Sequence, residues 1–185
     1  MSHATGTSRQ RERRNWTAMI PIQTAITGQE ELGGIQEPTQ ALAEFYRAFN
    51  SRNLALMEQN WSDADDVIMD NPLGGVKRGW NEIRPIYERI FRGQVKVEFY
   101  DYTIHLADGT FYAVGRERNL ANATDGEGNG IHRRLAIRTT RIFRWNGERW
   151  RQVHHHGSFE DPVLLAEYQK AVLGPGQEKS QKMKI

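Results

Sequence analysis

Three consecutive histidines, His154-His155-His156, lie on a β-rich run between Trp150 and Gly157-Ser158. His-x-His on a strand is a chelating spacing, because alternate residues share a face. His154 and His156 therefore point one way and His155 the other, so at most two of the three can share a metal. A third ligand would have to come from a neighbouring strand, with Glu117 or His132 as candidates, and no spacing rule selects either. The expectation is a structural role, with the rings packed beside Trp150 and hydrogen-bonded within the sheet, and no metal. The chain has no cysteine, which removes thiolate catalysis, Cys-ligated zinc, iron–sulfur clusters and disulfides, and fits a reducing, cytoplasmic setting. Any chemistry falls to His, Asp, Arg and backbone groups, with no cofactor expected.

The 185 residues, 38% hydrophobic and 26% charged, have the balance of one globular domain with extensions. The net charge of +2 and the pI near 9.0 would suggest a nucleic-acid partner. The location of the charge argues against it. Residues 1–36 carry +1 and residues 175–185 carry +2, which leaves the body at −1. No basic groove along the domain is implied, and no nucleic acid is expected. No run of eighteen apolar residues occurs, so no membrane span is expected. Trp16–Ile26 imitates a signal peptide, but Thr17, Gln23 and Thr24 interrupt its apolar core.

Residues 1–36 read as an arm of low order, with Gly33-Gly34 and Pro38 as the boundary before a domain over 37–160. Leu42, Phe45, Tyr46 and Phe49 follow i, i+3, i+4, i+7 and place one apolar stripe on a helix. Asn53 caps a second helix through Leu54, Met57 and Trp61. Val67–Asp70 reads as a short strand closed by the turn segment Asn71–Gly75. Trp80, Ile83, Tyr87 and Ile90 form a third stripe, which accommodates Pro85 if Asn81 is the cap. Four strand-like runs follow, Val95–Leu106, Phe111–Ala123, Ile131–Trp145 and Arg149–Ser158, with Asp108-Gly109, the Gly-rich loop 125–130 and Asn146-Gly147 as turns. Pro162 opens a last helix through Leu165, Tyr168 and Val172, within the segment 161–174, which either crosses a neighbour or caps a pocket mouth. A basic tail, 175–185, ends the chain. The fold class is α+β: a strongly curved antiparallel sheet wrapped around the N-terminal helices, cone-shaped, with an internal pocket.

Several segments together resemble the nuclear transport factor 2-like superfamily, which contains ketosteroid isomerases, SnoaL-like polyketide cyclases and the association domain of calcium/calmodulin-dependent protein kinase II. They are Ala41–Asn50 with Ser51-Arg52-Asn53-Leu54, Ala64–Pro72, Arg78-Gly79, Thr140–Arg144, and Trp150 through Ser158. The last string is similar to the ending of the kinase association domain. Isomerase chemistry of this family needs a carboxylate base and a tyrosine at the oxyanion. The resemblance puts Asn71 at the place of the base and Phe45 at the place of the tyrosine, with Tyr46 about 100° round the helix. Asp70 substitutes for the base only if a bulge re-aims it. A steroid-isomerase mechanism is therefore disfavoured.

The resemblance also implies that Arg116 and Arg141 match pocket arginines of the association domain, while Gly157 and Ile83 stand where that domain has a further arginine and a histidine. If Arg141 and position 157 face inward, His155 is the inward histidine. The competing expectation is that the arginines pair with Glu117 or Glu98 on the solvent side. The site expected is thus His155 and Asp70 as proton-moving groups, with Phe45, Met57, Asn71, Tyr87, Arg116 and Arg141 lining a ligand pocket. The function expected is the binding of a small anionic or carbonyl-containing molecule, with cofactor-independent isomerase, cyclase or dehydratase chemistry. The alternative is a non-catalytic association module, and the partner expected in either case is a second copy, in a homodimer or a larger homo-oligomer.

Overall fold

A computed structural model of the protein describes residues 24–120 and 135–173. The arginine-rich start of the arm, the Gly-rich loop with His132, and the basic tail lie outside the described residues. Helix α1 spans Pro38–Asn50, with Pro38 where a missing N–H costs nothing. Its stripe Leu42, Phe45 and Tyr46 is fully buried. Helix α2 spans Leu54–Asn60 and is capped as expected, the Asn53 side chain accepting the Leu56 N–H at 3.1 Å.

Strand β1, Ile68–Asp70, ends in an Asx turn in which Asn71 Oδ1 accepts the Leu73 N–H at 3.0 Å. A strand absent from the sequence reading, β2 (Val76–Arg78), pairs antiparallel with β1. Three residues after a Gly-Gly pair offer no alternation to read. Helix α3 spans Gly79–Ile90 and starts before the expected Asn81 cap. Arg78 is its cap position, and Glu82 Oε2, in the first turn, accepts the Arg78 N–H at 2.9 Å. Pro85 consequently lies inside the helix and leaves the Asn81 carbonyl without its intrahelical donor.

Strands β3 (Val97–Ala107), β4 (Thr110–Asn119), β5 (Ile137–Trp145) and β6 (Trp150–Phe159) form an antiparallel meander. At the first hairpin, Asp108 and Gly109 both have positive φ, 42° and 72°, which suits a tight turn between twisted strands. The six strands are ordered β2-β1-β6-β5-β4-β3, and the sheet is not closed. Because β1 runs parallel to β6, the sheet is mixed rather than wholly antiparallel. Helix α4, Pro162–Leu173, packs on β6, with the Tyr168 and Phe159 rings 5.1 Å apart. No helix among the described residues is long and apolar enough to cross a membrane.

From residue 24 onward the expected arm is packed, not loose. Ile26 exchanges two backbone hydrogen bonds with Phe99, at 2.8 and 2.9 Å, and is buried in the core. Asn50 holds the junction: its side chain donates to the Thr27 and Val97 carbonyls and accepts the Val97 N–H. Arg47 donates to the carbonyls of Gly28 and Glu30. Gly28 has φ +88°, and a Cβ there would fall 2.1 Å from the Arg47 backbone nitrogen, so only glycine fits. A single bridging residue has no periodicity, which is why the sequence does not reveal it.

Ile26→Ala is expected to lower unfolding free energy by about 2–4 kcal/mol in urea titration. A loss under about 0.5 kcal/mol, as at an ordinary surface site, would show that the arm is not part of the core.

Candidate functional site

The inward face of the sheet can be read strand by strand. On β4 it carries Phe111, Ala113 and Glu117, and on β5 Ile137, Thr139, Arg141 and Phe143, all buried. On β6 the phase changes. Phe143 pairs with Gln152 but Ile142 pairs with His154, so Val153 is an extra residue in a bulge. Without it, the face that carries Trp150 and Gln152 would continue through His154 and His156. The bulge moves His155 inward instead, beside Arg141, and Met69 of β1 pairs with His155 on its other side.

Arg141 is 1% exposed and hydrogen-bonded to three elements. Its Nη2 donates to Glu117 Oε1 at 2.7 Å, its Nη1 to Gln152 Oε1 at 3.0 Å, and its Nε to the Tyr46 hydroxyl at 3.2 Å. The Tyr46 hydroxyl donates to the same Glu117 oxygen at 2.6 Å. The guanidinium carbon lies 3.5 Å from the centroid of the Phe45 ring, a cation–π contact. Burial opposes the charge on Arg141, but Tyr46 and Glu117 outweigh it and hold the group above its ordinary pKa. Burial pushes the Tyr46 hydroxyl well above 10, so it stays protonated. Arg141 and Glu117 thus neutralise each other where they are buried.

Beside this pair lies a cavity of about 460 Å³, within the range of small-molecule pockets. Phe45 and Phe49 of α1, Met69 of β1, Tyr87 and Ile90 of α3 and Ile137 of β5 give it apolar walls. Leu164, Tyr168 and Val172 of α4 cover one side, and Gln169 anchors that helix by donating to the Pro72 carbonyl at 2.8 Å. Glu117, Arg141 and His155 supply the polar wall. His155 is 8% exposed, and neither ring nitrogen has a hydrogen-bond partner among the described residues. Burial first, then the charge of Arg141, then His154 and His156, hold its pKa well below 6.5, so the ring is neutral. The Tyr87 hydroxyl, raised by burial to about 12, accepts the Trp61 indole N–H at 3.3 Å.

Of the residues expected at the site, His155, Phe45, Asn71, Tyr87 and Arg141 line this cavity, and three do not. Asp70 is on the outer face, 3.1 Å from His156, because the β1–β6 pairing carries no bulge that would turn it inward. Arg116 also faces outward, paired with Asp101 and, at 3.1 Å, with Glu160. Met57 is fully buried in the core and does not reach the cavity. Asn71 is held by its own turn, while its amide lies 3.3 Å from Met69 Sδ.

In the sequence Glu117 reads only as a metal ligand or a solvent-side partner, and in the structure it is the interior acid. Neighbours on a strand face opposite ways, so an outward Arg116 forces Glu117 inward. Gln152 carries no sequence signal of its own, whereas Tyr168 and Val172 lie on the terminal helix that the sequence offers as a cap for a pocket mouth, and they line the cavity. Among the described residues, no group of three or more His, Asp or Glu side chains is placed to hold a metal ion.

Two outcomes follow from the network. Glu117→Leu is expected to cost about 3–5 kcal/mol of stability, whereas Glu117→Leu with Arg141→Met recovers most of it, because the single change strands a buried cation. An additive pair of losses in urea titration would contradict the coupling. His155, neutral when folded and protonated below pH 6.5 when unfolded, stabilises above that pH, and the contribution is lost as pH falls. The slope is at most about 1.4 kcal/mol per pH unit. His155→Leu should flatten the stability profile between about pH 6.5 and about pH 5, and an unchanged profile would refute the assignment.

The SnoaL-like domain model matches residues 39–162. F-box protein SKIP8 of Arabidopsis thaliana is 25% identical over 130 residues, covering 70% of this chain and 51% of that protein. The chain thus spans about half the length of the curated relative that it matches. Among solved structures, a Thiobacillus denitrificans chain named for the calcium/calmodulin-dependent protein kinase II association domain is 21% identical. It aligns at a TM-score of 0.55 over 70% of this chain and 99% of that one. A Streptomyces avermitilis chain of the NTF2-like family, named as a dehydratase, is 20% identical, with a TM-score of 0.55 over 65% of this chain and 91% of its own. A Parabacteroides distasonis chain named as a ketosteroid isomerase is 14% identical, with a TM-score of 0.56 over 72% of this chain and 96% of that one. At these identities the three likenesses carry the fold alone. The family model covers all but the first residue of α1, the helices α2 and α3 and the whole sheet, stopping where α4 begins, and the chain belongs to the SnoaL-like family.

Proposed function

We propose that the protein binds a small organic molecule in the cavity, with a hydroxyl or carbonyl at the molecule's inner end. One observation carries this reading. His155 lines an apolar cavity of about 460 Å³, and both of its ring nitrogens are buried without a partner among the described residues. A buried polar group left unpaired costs about 1–3 kcal/mol, a cost that a ligand hydrogen bond would offset. A neutral imidazole offers one donor and one acceptor, which suits a hydroxyl or a carbonyl.

The inner end of the ligand is uncharged on this reading. Arg141 is already committed to Glu117, so the anionic ligand expected from an interior arginine finds no free cation there. Acid/base turnover has limited support. Burial and Arg141 make His155 a weak proton acceptor, and Glu117 Oε1 is occupied by Arg141 and Tyr46. The reading is therefore of a binding pocket first, in a cysteine-free protein suited to the cytoplasm.

Naphthol and naphthalene test it, since they differ by one hydroxyl. Naphthol is expected to bind about tenfold more tightly, the value of a satisfied buried hydrogen bond. His155→Leu should abolish that difference while naphthalene still binds. Equal affinities for the parent protein, or no binding of either compound, would overturn the reading.

Self-association is a second reading, supported by the outer face of the sheet. Val114 is 44% exposed there, beside the stacked rings of His105 and Tyr112, 4.7 Å apart. An apolar residue central to an open sheet face suits contact with a second copy. Light scattering is expected to report a dimer that Val114→Arg dissociates, and a strict monomer of the parent chain would count against it.

A further inference from the structure

The end of α3 adds a charge to the cavity that its interior lacks. Arg89 in the last turn of α3 and Arg92 just beyond it both line the cavity and are both exposed. Neither is paired with an acid among the described residues. Glu88, the nearest acid in sequence, is taken by Arg84 at 3.0 Å. From the other side, Glu167 of α4 lines the same cavity. The cavity is therefore polarised. Inside it has a neutral histidine and a self-compensated ion pair, and at the rim two unpaired guanidiniums stand against one carboxylate. Cations near a helix C-terminus also complement the helix dipole, but that effect alone does not require them to border a cavity.

We propose that the ligand is an amphipathic organic anion. Its apolar body fills the cavity, its hydroxyl or carbonyl meets His155, and a carboxylate or phosphate at its outer end is held by Arg89 and Arg92. Guanidinium matches the geometry of either anion through paired N–H donors. The inference rests on the cavity reading above and adds the charge and polarity of the ligand. Glu167 opposes such an anion, so its removal strengthens binding.

Phenol, naphthol and phenylphenol, each paired with the analogue that bears a carboxylate at the far end from the hydroxyl, separate the two claims by calorimetry. At least one acid is expected to bind about tenfold more tightly than its neutral partner, the combined value of two partly solvated charge contacts. Arg89→Gln with Arg92→Gln should remove that advantage and leave the neutral partner within about twofold, because both side chains are exposed and outside the core. Glu167→Gln should increase the advantage, and added salt should shrink it. If the neutral compounds bind and no acid gains over its partner, or if the gain survives loss of both arginines, the proposal is overturned while the cavity reading stands. If no neutral compound binds, the cavity reading itself fails.

Discussion

A guanidinium with almost no solvent contact is the constraint around which this molecule is arranged. Desolvating Arg141 carries a penalty of several kcal/mol that only well-placed partners offset. Those partners come from α1, β4 and β6, as Tyr46, Glu117 and Gln152. Three elements distant in sequence must therefore meet at one point in one register. A slip of a single residue in β4 would exchange Glu117 for Arg116 or Arg118 and set two cations together. The pair acts less as a source of stability than as a key that admits one arrangement of strands.

The same pair sets the character of the cavity. Because Arg141 and Glu117 cancel, the polar wall presents no net charge, and burial first, then the nearby Arg141, keeps His155 neutral. The outer rim, built from the end of α3 and from α4, has no such compensation. The two ends of one cavity thus differ in what they can bind, and the difference follows from which arginine found an acid within reach.

Much of the fold was legible because it rests on periodicity. The stripe on α1, the Asn53 cap, the four long strands and both hairpin turns follow from spacing and turn chemistry. Facing was partly legible: reading His155 as the inward histidine required only that Arg141 and position 157 face inward. The Val153 bulge that makes both Gln152 and His155 inward left no mark, since an extra valine in a β-rich run alters neither composition nor pattern. Arg116 and Glu117 were a coin with two faces. Alternation says that one is inside, and only the pairing partners of the folded sheet say which. The early start of α3 and the parallel β1–β6 pairing depend on tertiary contacts that three-residue strands cannot announce.

Ile26 shows what a single buried residue can do for a whole sheet. Its two backbone hydrogen bonds satisfy the free edge of β3 at Phe99, in the strand that is last in the order. An unpaired, apolar edge is a template for another chain. At the opposite margin β2 has only three residues, too short to recruit a neighbour. The short stretch before α1 therefore shortens the run of unpaired backbone along that edge. A version of this protein trimmed to the glycine pair before Pro38 would keep every residue of the cavity and leave the Phe99 N–H and carbonyl bare at the edge of the sheet.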